Sequence, residues 1–379
     1  AKRYTYLLGR GQSCKTAALR FQTLLKKKGK IAMDDITEAF SVESVSKEFF
    51  DQYRLNYADI VCYVTGKRMV KSGGKWEEKQ EHEPNEFIMQ QFAQFADPEK
   101  AVRDYVKKLM GRLVFLQFIQ KKGWLGVPMD DASWTKGDKE FIQHLFAQYE
   151  NKDNFIDDVL EPLFNDINTR RADDKANPVL GNDIKVPYLN GGLFEKDAED
   201  DTTFPLPAKY MQVMLDFVSA YNFSVEGDGP DDAEVGVDPE MLGRVFENLL
   251  EDNKDKGAFY TPKEIVQYMC RESLIAYLQT DIEDDVIKQS FRDFVTSHEV
   301  STLKPADVYK VDKKLREVKI CDPAIGSGAF PMGLLKELFD CRMAIEGEEE
   351  GKTPAEIKKD IIQNSIYGVD IEKGAVDIA

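Results

Sequence analysis

The sequence predicts a mostly α-helical chain that ends in the first strands of a parallel α/β sheet. Two observations carry this. Apolar residues recur at three and four along most of the chain, the period of a helix with one buried face. After about residue 317 the order becomes strand, glycine-rich turn, helical crossover, strand, which is how a parallel sheet begins.

Taken in order, residues 12 to 29 read as a short helix ending at Gly29, and Asp34 or Asp35 can cap the next. The segment from Ile36 to Val64 has a helical pattern, and residues 66 to 86, with Gly66, Gly73, Gly74 and Pro84, read as a polar loop. Val102, Val106, Leu109, Leu113 and Leu116 define a long helix from Glu99 to Lys122, stopped by Gly123. Within it the apolar stretch Leu109 to Ile119 is interrupted by Arg112. Helices follow from Lys139 to Tyr149 and from Asn154 to Ile167, the second bent or broken at Pro162. Residues 170 to 207, rich in Pro and Gly, predict an irregular connection with a strand pair near Ile184 and Phe223. A helix from Ala208 to Tyr221 and an acidic loop from Gly227 to Glu234 come next.

From Asp238 the punctuation sharpens. Asp238-Pro239 suits an N-cap and first helical position, followed by the stripe Leu242, Val245, Phe246, Leu249, Leu250. Thr261-Pro262-Lys263-Glu264 is a capping box opening a helix with Ile265, Val266, Met269, Cys270, Ser273, Leu274, Tyr277 and Leu278 on one face. Glu317 to Cys321 reads as a strand running into Asp322-Pro323-Ala324-Ile325-Gly326-Ser327-Gly328-Ala329-Phe330, and a helix then extends to about Ile345. Thr353-Pro354-Ala355-Glu356 opens a further helix to about Gln363, and Ser365 to Ile371 is the second strand.

Composition narrows the function classes. The net charge of −17 argues against a whole-chain nucleic-acid clamp, although residues 1 to 30 carry nine Lys and Arg and no acid. That basic run suits phosphate, and equally a solvated helix face. The five cysteines are scattered without CxxC spacing and the three histidines lie far apart, so reduced thiols are expected, and neither a zinc site nor histidine catalysis. No apolar run approaches the roughly 20 residues of a membrane span, and no secretory pattern opens the chain, so a cytoplasmic chain without membrane partners is expected.

The chemistry concentrates in the loop from Asp322 to Phe330. Glycines between a strand and a helix let backbone N–H groups approach a ligand that Cβ atoms would exclude. A phosphate loop needs a Lys after the last glycine, and none follows Gly328. A dinucleotide fold needs a third glycine where Pro331 stands, and an acid about 20 residues on, whereas the next strand-end acid is Asp370.

The third possibility rests on resemblance. Asp322-Pro323-Ala324-x-Gly326-Ser327-Gly328-Ala329-Phe330 resembles motif I of the amino-group DNA methyltransferases. Gly257-Ala258-Phe259-Tyr260-Thr261-Pro262 resembles their motif X, placed before motif I as in the gamma arrangement, and Tyr367-Gly368-Val369-Asp370-Ile371-Glu372 resembles motif II. Tyr188-Leu189-Asn190-Gly191-Gly192-Leu193-Phe194-Glu195 and residues 236 to 250 resemble the helical region of fused, type IIG-like restriction–modification enzymes. The resemblance implies a helical region over residues 1–235. It also implies the incomplete start of a class I, Rossmann-like methyltransferase domain over 236–379.

The resemblance further implies an S-adenosylmethionine site and double-stranded DNA as the parent protein's partner, with methyl transfer to adenine N6. Thr261, beside Tyr260, would face the methionine carboxylate. Asp322, with Pro323 and Ala324, would face the methionine amino end. Gly326 and Gly328 would admit the cofactor to the backbone, Asp370 would take the ribose hydroxyls, and Ile371 would cover the adenine. Taken singly, Thr261 and Glu264 are also an ordinary cap, and Asp370 an ordinary solvated acid. The family's catalytic Asn/Asp-Pro-Pro-Tyr/Phe occurs nowhere in the 379 residues, so no catalytic residue is assigned. The chain is expected to be an internal fragment that methylates nothing alone and leaves adenine N6 against cytosine N4 undecided. The rival expectations are a helical DNA-binding or interaction module with a degenerate cofactor fold, and a dinucleotide-binding oxidoreductase.

Overall fold

A computed structural model describes residues 3–6, 8, 14–27, 29–72, 75–170, 175–189, 191–223, 232–234, 237, 261, 263–347, 353–371 and 376. The chain divides into two units, Ala1–Leu249 and Leu250–Ala379. It is mostly α-helical, and its described strands form four two-stranded pairs. Among the described residues no helix is long and apolar enough to cross a membrane.

The first unit opens with β1 (Arg3–Thr5), α1 (Lys15–Lys26), α2 (Met33–Ala39) and α3 (Val42–Thr65). The helix expected from Ile36 to Val64 is therefore two. Ser41 breaks it, because its hydroxyl accepts the Ser44 N–H at 3.2 Å and starts a new helix. Asp35 does act at the start of α2, accepting the Ala32 N–H at 2.8 Å.

The polar loop expected over 66–86 is in fact a hairpin of β2 (Lys67–Ser72) and β3 (Lys75–Gln80), paired antiparallel from Lys67↔Gln80 to Ser72↔Lys75. Gly66, at φ +75°, makes the turn into it, and a Cβ there would stand 2.1 Å from the His82 carbonyl oxygen. Next come α4 (Glu86–Gln91), α5 (Pro98–Lys121), β4 (Val127–Pro128) and α6 (Phe141–Gln148). The expected break at Pro162 takes the form of a π turn, Ile156–Leu160, leading into α7 (Glu161–Asn168). Proline has no N–H to give the preceding turn, which widens.

Ile184 and Phe223 do not pair. Ile184 belongs to β5 (Ile184–Lys185) on β4, while Phe223 bridges to Val237. After α8 (Ala208–Ser219), β6 (Asp232–Glu234) lies parallel to β1. The core packs α3 on α5 and α8, with Phe49 stacked on Phe217 at 4.8 Å and edge-on to Tyr221 and Phe223. The helix expected after Asp238 lies outside the described residues, as do residues 257–260 of the motif-X match.

In the second unit, α9 (Lys263–Leu278), α10 (Asp285–Ser297) and α11 (Pro305–Glu317) precede β7 (Ile320–Asp322). Glu317, expected to open the strand, ends α11 instead. Val311 and Leu315 bury that helix's face and carry it further than the strand pattern suggested. Then come α12 (Ala329–Glu346), α13 (Pro354–Asn364) and β8 (Ile366–Gly368). Thr353 and Glu356 form the expected capping box, the Thr353 oxygen accepting the Glu356 N–H and Glu356 the Thr353 N–H. The core gathers Leu274, Leu278, Phe291, Phe294, Leu315, Leu338, Ile357 and Ile361. On α9 the buried face is Val266, Cys270, Leu274 and Leu278; Ile265 and Met269, expected on that face, are exposed.

Candidate functional site

The glycine loop sits at the carboxyl end of a parallel strand pair. β7 and β8 pair as Ile320↔Ile366, Cys321↔Tyr367 and Asp322↔Gly368, joined by the crossover through α12 and α13. The pairing continues past the strands: the Val369 N–H reaches the Asp322 carbonyl at 2.9 Å, and the Ile325 N–H the Val369 carbonyl at 3.0 Å. The Gly326 N–H donates to Asp370 Oδ2 at 2.8 Å. Asp322, Gly326 and Asp370, chosen from the sequence, are thus brought together at one strand end.

The loop's conformation needs its glycines. Gly326 and Gly328 have φ of +53° and +85°, the left-handed region that side chains disfavour. Gly328 is buried and serves as the N-cap of α12, so the backbone turns straight from loop into helix. Gly368 contributes differently. A Cβ on it would lie 2.0 Å from Ile325 Cδ1, 2.9 Å from Cγ1 and 3.0 Å from Cβ, so its bare backbone makes room for the loop. Gly333, one turn into α12, likewise lets Val266 and Cys270 of α9 approach.

Asp322 is the informative carboxylate. Its Oδ1 accepts the Ala324 N–H at 3.0 Å, tying the loop's first turn. Its Oδ2 is out of solvent and has no hydrogen-bond partner among the described residues. A buried carboxylate oxygen without a donor costs about 1–3 kcal/mol or more, which an arriving ammonium or N–H would remove. Nearby, burial pushes the Cys270 thiol up to about 11, with Glu337 and Asp322 adding, which disfavours its thiolate.

The remaining expected residues are placed less completely. Thr261 stands half-buried ahead of α9, and Tyr260 lies outside the described residues. Pro323 and Ala324 are exposed on the loop. Ile371 is fully exposed, and Tyr367 and Val369 are about half exposed or more, so a row of apolar side chains runs along β8 and beyond it. The residues present fit a cofactor with an ammonium end and a flat apolar portion: an orphaned carboxylate oxygen, a glycine turn into a helix N-terminus, and exposed apolar groups at the strand end.

A second polar cluster, in the first unit, was missed from the sequence. Arg112 is 1% exposed on α5. It holds Asp200 through two bonds of 2.9 Å and donates to the carbonyls of Leu193 and Glu195, while its guanidinium lies 4.7 Å from the centre of the Phe164 ring. Lys108 adds bonds to Asp197, Asp200 and the Glu195 carbonyl. The Leu193 and Glu195 end of the Tyr188 to Glu195 match is thus held to α5. Burial, then Asp200, push the Glu161 carboxyl up to about 7 against the pull of Arg112.

No family model matches the chain. It is 27% identical over 303 residues to a protein of Methanocaldococcus jannaschii named as a combined type II restriction enzyme and methyltransferase; the match covers 72% of this chain and 24% of that protein. It is 29% identical over 143 residues to the adenine-specific methyltransferase BrxX of Escherichia coli, covering 37% of this chain and 11% of BrxX. The chain therefore spans about a quarter of the first relative's length and about a tenth of the second's. Among solved structures, the Type IIL restriction-modification enzyme MmeI in complex with DNA matches 72% of this chain and 32% of its own, at 17% identity and a TM-score of 0.43, a likeness too slight to bear on the fold. The relatives are methyltransferases, one joined to a restriction enzyme and one adenine-specific.

Proposed function

We propose that residues 236–379 begin the S-adenosylmethionine-binding part of a class I, Rossmann-like DNA methyltransferase domain of the gamma arrangement. On this reading the parent protein methylates adenine N6 in double-stranded DNA within restriction–modification, and residues 1–235 are its helical region. The observation that carries the reading is the orphaned Asp322 oxygen at the glycine turn, with Asp370 bonded across the same turn.

S-adenosylmethionine, when bound, supplies an electrophilic methyl group. The chain's own residues hold it. Asp322 meets the ammonium end, where a carboxylate gains a charge-assisted bond in place of an unmet one. Gly326 and Gly328 keep side chains away from the cofactor. Asp370, oriented by the Gly326 N–H, accepts from the ribose hydroxyls, and Ile371 lies against the adenine face. Thr261, before α9, and Tyr260 meet the carboxylate end, where a helix N-terminus favours an anion. Holding a flipped base needs an acceptor and an aromatic platform, and this reading places that step in groups outside these 379 residues.

The test is a calorimetric titration of the chain with S-adenosylmethionine and, separately, with NAD+. Saturable binding of the first and none of the second supports the reading. The reverse pattern would replace it with dinucleotide binding, and binding of neither would leave the loop a structural turn.

A further inference from the structure

Glu337, on α12, is 1% exposed and lies outside the cofactor site. A carboxylate out of water needs cations close by, because its lost hydration is otherwise uncompensated. Two other helices supply them. Arg271 of α9 donates to Glu337 Oε1 at 2.9 Å and, through Nε, to Oε2 at 3.4 Å. His298, which ends α10 in the left-handed conformation at φ +57°, has Nε2 3.4 Å from Oε2. Burial draws the Glu337 carboxyl up, but His298 and Arg271 outweigh it and hold it below the ordinary carboxylate value. The ionised group ties three helices together.

What the tie controls follows from where α9 begins. Val266 and Cys270, in its first turns, lie against Gly333 of α12, where an added Cβ would stand 2.8 Å from Val266 Cγ1 and 2.9 Å from Cys270 Sγ. The Cys270 thiol donates to the Phe330 carbonyl at 3.5 Å. The start of α9 is thus seated on the start of α12, the helix that grows out of the glycine turn. Apolar packing is not directional, and a thiol is a weak donor. A guanidinium bonded to a carboxylate at two points fixes both distance and angle. Arg271, next to Cys270, supplies that constraint.

We infer that Glu337 is a positioning residue for the cofactor site: through Arg271 it fixes the start of α9, and Thr261 ahead of it, relative to the glycine turn. This rests on the S-adenosylmethionine reading and deepens it. The carboxylate end of the cofactor gains a support about two helical turns along α9. A binding site must hold its groups within about 0.5 Å, so a small shift of α9 is enough to lose that end. The adenosine end, on Asp370 and Ile371, does not depend on it.

The test is calorimetric titration of the 379-residue chain, Arg271→Met and Arg271→Lys with two ligands. One is S-adenosylmethionine; the other is its decarboxylated form, which keeps the ammonium, ribose and adenine. Arg271→Met removes the cation from the partly exposed end of the pair and keeps an apolar stem. It should lose at least about tenfold in S-adenosylmethionine affinity and bind the decarboxylated ligand within about twofold of the unmodified chain. Arg271→Lys keeps a cation and loses the fork, so the same selective loss should appear, smaller. It carries the test if Arg271→Met does not fold. Equal losses for both ligands would make the pair a support of the fold alone and overturn the inference. Unchanged affinity for both would also overturn it, and either result leaves the cofactor reading standing. No binding of S-adenosylmethionine by the unmodified chain would overturn the inference together with that reading.

Discussion

Substituting Gly368 by Ala tests whether the loop depends on a bare backbone opposite it. The new Cβ would stand 2.0 Å from Ile325 Cδ1, 2.9 Å from Cγ1 and 3.0 Å from Cβ, where apolar carbons normally keep about 3.5–4.0 Å. Rotating the end of Ile325 relieves the first overlap and neither of the others. Its branched Cβ resists rotation about χ1, and its N–H is held by the Val369 carbonyl. The loop must then move by about half an ångström, at a cost typical of overpacking, about 1–3 kcal/mol. Urea unfolding monitored by circular dichroism should show that loss, and calorimetry should show S-adenosylmethionine affinity reduced by at least about tenfold, the equivalent of 1.4 kcal/mol. Adding Ile325→Ala should recover part of both, with a coupling of at least about 1 kcal/mol. If Gly368→Ala alone keeps both stability and affinity, Ile325 does not pack against this glycine and the account of the loop is wrong.

Two further predictions concern the first unit. Arg112→Ala leaves the buried Asp200 with Lys108 and the Asp197 N–H alone on one of its oxygens, and leaves the Leu193 carbonyl without its guanidinium donor, so thermal unfolding should report a loss of about 3–5 kcal/mol; a loss under 1 kcal/mol would refute the clamp. Glu161 binds protons more tightly folded than unfolded, since its carboxyl sits at about 7 against an ordinary 4.5. Its contribution to stability is thus fully present below about pH 4.5 and is lost as pH rises through 7, by about 1–3 kcal/mol. Glu161→Gln should flatten stability between pH 5 and pH 8 (a range of about three pH units around these values), as read by urea midpoints. An unchanged pH profile would contradict the assignment.

The parts legible in the sequence were those with local chemistry. Thr353 and Glu356 cap a helix through their own side chains, and the Asp322–Phe330 turn carries its own glycines. The stripe on α5 is likewise buried from Val102 to Leu116. What sequence concealed depends on distant partners. Arg112 read as an interruption of an apolar run, because its acceptors come from residues 193–200. A lone cation on a buried helix face, with acids at 197–201 to answer it, was the signal available. The β2–β3 ribbon passed as a loop because its charges mask the alternation of a strand. The helices α10 and α11 carried periodic apolar faces that went unread, since the stronger glycine motif beyond them drew the boundary too early, at Glu317.

The most direct test of the central claim is Asp322→Asn. The substitution keeps an oxygen for the Ala324 N–H and removes the negative charge from the atom that has no partner. A hydrogen bond to a charged group is worth about 1.5–3 kcal/mol, so S-adenosylmethionine affinity should fall roughly 10- to 150-fold. Methylthioadenosine, which lacks the ammonium and carboxylate, should bind the variant and the unmodified chain alike, and unfolding stability should hold within about 1 kcal/mol. Equal S-adenosylmethionine affinity in both proteins would contradict the account, because the Asp322 oxygen would then not be where the ammonium sits.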